Sequence, residues 1–171
     1  GPTAWGRATE ILSYLDGLRA QGIAITHDQY VYTASSTGIG SNLIEAEFRE
    51  GGAKRFRERL ADPAIKARMV AEMKSFITKG KRGDYSYAVV ASFKADPRIN
   101  GKNIAQAAKI LRGADTLDDQ IETILDIEAR GGAQGVFHGW LMEHKPWAQP
   151  EAVEVGDPKL SRISPEAERN S

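Results

Sequence analysis

The sequence predicts an α/β fold, and three observations carry that expectation. Residues 5–21 place Trp5, Ala8, Ile11, Leu12, Leu15 and Leu18 at three- and four-residue spacing, the period of an amphipathic helix. Gly22 then supplies a helix stop, and the apolar run Ile23-Ala24-Ile25 follows at once. A helix, a glycine and a short buried strand make half of an α/β unit. Residues 85–93 supply the third observation, because they are rich in aromatic and β-branched residues and read as a strand, and 133–138 reads as another.

The elements follow in order. The strand over 23–26 empties into Thr26-His27-Asp28 and then into a hydroxyl-rich segment punctuated by glycine, residues 33–41. A buried strand opening into such a loop is how α/β enzymes build sites at the carboxyl ends of strands. Asn42 is suited to cap a helix over 43–49, and Glu50-Gly51-Gly52 breaks it. A helical stretch resumes over 53–61. Asp62-Pro63 ends it and starts the next helix, with aspartate as cap and proline at the first helical position. Ile65, Met69, Met73, Phe76 and Ile77 form that helix's apolar stripe, and the methionines read as packing. Asp96-Pro97 and Asn100-Gly101 are turn signals. Asn103 can cap a short helix bearing Ile104, Ala107, Ala108 and Leu111, which Arg112-Gly113 closes. Thr116 and Asp119 resemble a capping box ahead of Leu117, Ile121, Ile124 and Leu125. That helix stops at Gly131-Gly132. From 143 onward, prolines interrupt a polar, charged run with no periodicity, so residues 143–171 read as an irregular, poorly ordered tail.

Composition narrows the function classes. The chain has 171 residues, enough for one domain with a real core. No apolar run approaches the roughly 20 residues of a membrane span. There is no cysteine, which excludes disulfides and thiolate metal sites. A cytoplasmic location is expected. Lys+Arg and Asp+Glu both number 23, so net charge gives no general attraction to nucleic acid or membranes. The charge is nonetheless segregated. Residues 49–82 hold eleven Lys/Arg and four Asp/Glu, whereas 115–130 hold one Arg and six Asp/Glu. No nucleic-acid motif accompanies the basic block, so it reads as a solvated helix face able to pair with the acidic segment.

Four segments carry a family resemblance. Tyr30-Val31-Tyr32-Thr33-Ala34-Ser35-Ser36-Thr37 resembles a Tyr-Pro-Tyr-Thr-Ala-Ser-Ser-Thr segment of the N-acyl-D-amino-acid deacylases (D-aminoacylases), zinc hydrolases of the amidohydrolase superfamily. Trp5-Gly6-Arg7, then Glu50-Gly51-Gly52 leading to Leu60-Ala61-Asp62-Pro63, and then the glycine-rich run from Gly131 through His138 to Gly139 fit the same family in the same order. The chain departs from the family at Val31, where proline is usual, and after Trp140. The resemblance implies part of a TIM-barrel-like amidohydrolase domain over 1–142, with an inserted, mostly helical lobe at about 42–126. A whole barrel takes about 250 residues, so this chain cannot close one.

The implied parent chemistry is zinc-dependent hydrolysis of the amide in N-acyl-D-amino acids. Such a site needs several converging His or carboxylate ligands, plus a carboxylate to carry protons. The chain has three histidines, His27, His138 and His144, with no His-x-His pair. The family's Ser-Asp-Gly-type motif, which holds its catalytic aspartate, has no counterpart after His138; that region reads Trp-Leu-Met-Glu-His-Lys-Pro-Trp from Trp140. No catalytic residue and no metal ligand is therefore assigned, and no zinc is expected on this chain alone.

What the resemblance leaves is a substrate wall. By motif position Tyr30 and Ser36 match residues that hold the substrate carboxylate. Their hydroxyls can donate to a carboxylate, and equal parity puts both on one side of an extended path. From the residues alone, Tyr30 reads as a half-buried strand-end aromatic and Ser36 as a turn residue; the binding role is what the resemblance implies. Tyr32, Thr37 and His138 are secondary candidates. The rival reading is a non-enzymatic module that binds a small carboxylate or a partner chain. Open strand edges of a partial barrel would favour self-association.

Overall fold

A computed structural model describes Thr3, 7–28, Tyr32 and 34–138. Trp5, Tyr30 and the tail 143–171 lie outside the described residues. The elements run α1 (Ala8–Ala20), β1 (Ala34–Gly38), α2 (Ile39–Leu43), α3 (Ala46–Arg49), α4 (Gly52–Ala61), α5 (Pro63–Lys79), β2 (Ala88–Ser92), α6 (Ile104–Arg112), α7 (Leu117–Ala129) and β3 (Gln134–His138). A single 3₁₀ turn spans Pro97–Ile99.

The class is a mixture of helices with a small sheet. The strand order is β1-β3-β2, and both pairings are antiparallel. A barrel segment would need parallel neighbours, so the barrel strands expected from the resemblance have no counterpart among the described residues. The expected strand over 23–26 is also corrected. Residues 23–28 have no regular structure, and Ile23 is 46% exposed. The residues expected to form a hydroxyl-rich loop instead become β1 and the start of α2. Backbone pairing with β3 decides this, matching Ser36 to Val136 and Thr37 to Gly135. β2 is shielded on its other side, where Val90 donates to the Lys102 carbonyl and Gly101 donates to Val90.

The helices follow local chemistry closely. At α5, the Asp62 carboxylate accepts from the backbone N–H groups of Ala64 and Ile65, and Pro63 occupies the first turn. At α6, Asn103 and Gln106 cap each other's backbone reciprocally. Thr116 and Asp119 do the same at α7. Each box satisfies two donors that a helix end would otherwise leave bare. The single helix expected over 43–49 is split into α2 and α3, because Ile44 and Glu45 are extended between them.

Helix α1 forms from its own periodicity but buries no residue. Ile11, Leu12 and Tyr14 are 55%, 44% and 67% exposed, so its apolar stripe is not buried among the described residues.

The core lies between the sheet and the α2–α7 helices. Ile39 and Leu43 from α2, Met69, Met73 and Ile77 from α5, Ile121, Ile124, Leu125 and Ile127 from α7, and Val90 and Phe137 from the sheet belong to one buried cluster. Full burial of each such side chain contributes about 1.5–3 kcal/mol. Tyr85 is also fully buried, and its hydroxyl donates to the Met73 carbonyl at 2.9 Å. Gln120 ties the loop before β2 to α7, accepting from the Tyr85 N–H and donating to Asp84 and the Asp115 carbonyl. Outside the core, basic α5 meets acidic α7. Lys66 pairs with Glu122 at 2.8 Å and Lys74 with Asp118 at 2.5 Å. The segregated charges of the sequence thus meet side by side.

Candidate functional site

Antiparallel pairing brings three chain segments to one end of the sheet. Gly38 at the end of β1 faces Gln134 at the start of β3, and Ser92 at the end of β2 faces the same Gln134. A cleft of about 580 Å³ opens there. Its walls come from the β1–α2 junction (Gly38, Gly40, Ser41), from Arg49 at the end of α3, from Ser92 to Ala95, and from the α7–β3 turn, including Glu128, Arg130 and Gln134.

Three cations border this cleft: Arg49, Lys94 and Arg130. Arg130 is held firmly. It pairs with Asp126 at 3.1 Å, donates to the Ala95 carbonyl at 2.8 Å, and lies 5.1 Å from the Phe93 ring centroid. Arg49 is half-buried and anchored by its Nε, which donates to the Ile44 carbonyl at 3.0 Å. That anchor leaves both terminal amino groups of its fork for another acceptor.

Glu128 is the cleft's carboxylate. Burial pushes its carboxyl above the usual glutamate value, and the Arg49 charge offsets part of that rise. It presses on the β1–α2 junction so closely that a Cβ on Gly40 would stand 2.0 Å from its Oε2. Glycine at position 40 is thus what lets the carboxylate lie against the backbone.

The hydroxyls named from sequence are partly committed elsewhere. Ser36 Oγ donates to the Gly135 carbonyl at 3.2 Å and accepts from Gln134 Nε2 at 2.9 Å. It reaches the cleft only through Gln134. Thr37 Oγ1 lies 3.4 Å from Ser41 Oγ, and Ser41 donates to the Gly38 carbonyl at 2.8 Å. Ser41 has one proton and spends it on Gly38, so Thr37 is the donor between the two hydroxyls. His138 is at the opposite end of β3, paired with Ala34. It lies four residue steps from Gln134, about 13 Å at roughly 3.3 Å per residue. Tyr32 precedes β1 and is 64% exposed. His27 follows α1, with Nδ1 3.0 Å from the Arg19 guanidinium. The structure therefore ties Ser36 and Thr37 to the cleft-lining Gln134 and Ser41 without placing either in the cleft, and leaves His138 and His27 away from it. Tyr30 lies outside the described residues.

Arg49, Lys94, Glu128 and Arg130 carry the cleft's charge and were not singled out by sequence. Arg49 opens the basic block and Glu128 belongs to the acidic one, so both read as solvated surface. The available signal was position: each sits beside a glycine-bearing break, Glu50-Gly51-Gly52 or Gly131-Gly132.

A zinc ion of the kind the resemblance implies needs three or more converging His or carboxylate ligands. Among the described residues no such group occurs, so these residues do not fit that metal. None of the described helices is long and apolar enough to cross a membrane. No protein-family model matches the chain, and no similar protein was found among curated proteins or solved structures.

Proposed function

We propose that the chain binds a small carboxylate in the cleft at the Gly38–Gln134 end of the sheet, as the substrate-side portion of an amide hydrolase similar to the D-aminoacylases, and that it has no hydrolytic activity of its own. The observation that carries this reading is the cleft's charge among the described residues: Arg49 and Lys94 line it beside the carboxylate of Glu128, while Arg130 is already paired with Asp126. A guanidinium with a free fork is suited to a carboxylate, because two parallel N–H donors match its two oxygens. The motif's Ala34–Thr37 stretch lies in β1, whose last residue, Gly38, lines the cleft, which supports linking the two. On this reading α3 to α7 correspond to the inserted lobe of such an enzyme, and β1 and β3 flank it. The hydrolytic water and its metal would belong to parts of the parent enzyme other than the described residues.

The test is a titration of the whole chain with propanoate and with N-acetyl-D-methionine, followed through backbone amide shifts. Saturable shifts are expected at residues 38–41 and 131–134. A charge-assisted hydrogen bond contributes about 1.5–3 kcal/mol, so Arg49→Met should weaken binding roughly 10- to 150-fold. Shifts that do not saturate, or saturate equally in R49M, would remove the cleft as the binding site. The second arm is hydrolysis of N-acetyl-D-methionine with added zinc. Turnover near 1 per second, the low end for ordinary enzymes, would show that the chain holds a complete catalytic site and overturn the non-catalytic half of the proposal.

A further inference from the structure

A second cavity adjoins the cleft. It has a volume of about 200 Å³ and lies between α2–α3 and α5. Its floor is closed by core side chains: Leu43, Phe48, Met69 and Met73 are each at most 4% exposed. Ser41 and Arg49 line both spaces. Arg49 therefore stands at the junction of a cationic cleft and an apolar slot, fixed there by its bond to the Ile44 carbonyl.

We propose that the slot takes the unbranched apolar tail of the same ligand whose carboxylate lies in the cleft, so that the preferred ligand is a medium-chain monocarboxylate with Arg49 at its neck. This inference rests on the carboxylate reading above and adds the tail. Three features support it. A slot of this volume holds about six heavy atoms at roughly 30 Å³ each. Its methionines are unbranched and adapt to a flexible chain. Beyond the neck, the slot's remaining charged side chains are Glu45 and Glu72, both exposed. Those carboxylates disfavour a second anion there and leave the head group to the cleft.

The experiment is a chain-length series from propanoate to decanoate on the whole chain, read separately at two places. Amide shifts at 131–134 report the head, and methyl shifts of Met69 and Met73 report the tail. Burying a methylene is worth about 0.8 kcal/mol, so affinity should rise up to about fourfold per carbon and level off between hexanoate and octanoate. The methionine methyls should respond only to the longer acids. Ala46→Leu narrows the slot from its exposed rim, and Leu is nearly as good a helix former as Ala. In A46L the gain with chain length should disappear while propanoate still shifts the 131–134 amides. Saturable propanoate binding with no gain for longer acids, or with silent methionine methyls, overturns the tail and leaves the cleft standing. Longer acids that move the methionine methyls while the 131–134 amides stay still overturn the shared-ligand inference. Absence of binding by every member of the series overturns the cleft and the tail together.

Discussion

Gly135→Ala puts the packing of α2 on the sheet to a quantitative test. Gly135 is buried in the middle of the central strand, opposite Thr37 and Val90. A Cβ there would stand 2.5 Å from Ile39 Cδ1 and 3.1 Å from Phe137 Cζ. Ordinary contacts begin near 3.4 Å, so Ile39 must retreat by almost an ångström. It is fully buried and has little room. Overpacking of this kind costs about 1–3 kcal/mol. Stiffening the unfolded chain returns about 0.4–1 kcal/mol. At the mid-points of those ranges the net loss is about 1.3 kcal/mol, or a Tm lower by about 3–5 °C for a chain of this size. Thermal and urea unfolding of G135A measure it. The double mutant with Ile39→Val, which deletes the clashing methyl, should be more stable than additivity allows, by about 0.5 kcal/mol or more. Unchanged or raised stability in G135A, or strict additivity in the pair, would mean that Ile39 does not lie over Gly135 and that α2 is packed differently.

Two further outcomes follow from buried polar groups. Tyr85→Phe deletes the bond to the Met73 carbonyl while keeping the ring, so stability should fall by about 0.5–1.5 kcal/mol; a loss near zero in urea unfolding would place that hydroxyl in solvent. Glu128→Gln should raise the Tm at pH 7, because the folded state holds a desolvated carboxylate whose pKa lies above its ordinary value. In the wild type, Glu128's contribution is intact below the ordinary glutamate pKa and is lost as pH rises through the raised folded value. The advantage of E128Q should therefore vanish below about pH 4.5, the ordinary glutamate value. Affinity for ionised propanoate, after allowance for the ligand's own protonation, should likewise strengthen as pH falls towards that value in the wild type and vary less in E128Q; identical pH profiles would contradict a charged Glu128 in the cleft.

How much of the chain was legible depended on how far apart the interacting atoms lie in sequence. The starts of α5, α6 and α7 are set within four residues, by Asp62-Pro63, by Asn103 with Gln106, and by Thr116 with Asp119. A cap needs no distant partner, so reading it from sequence works. The same holds for the apolar stripe of α5, whose Met69, Met73 and Ile77 are buried as their spacing implies.

Strands are different, because a strand exists only with a partner. Ile23-Ala24-Ile25 has the composition of one and is not one, while Ala34–Gly38, with serine, threonine and glycine, pairs along its whole length with residues about a hundred positions away. The cleft has the same origin. Arg49 and Glu128 read as surface charges within their own helices. Only the antiparallel return of β3 between β1 and β2 sets the turn bearing Glu128 and Arg130 against the β1–α2 junction and Arg49. Sequence alone determined α4 to α7 and their ends, since the hydrogen bonds and periodicity involved are local. Tertiary structure alone decided which apolar run is a strand, the direction of the sheet and the charged cleft, since each requires groups brought together across the chain.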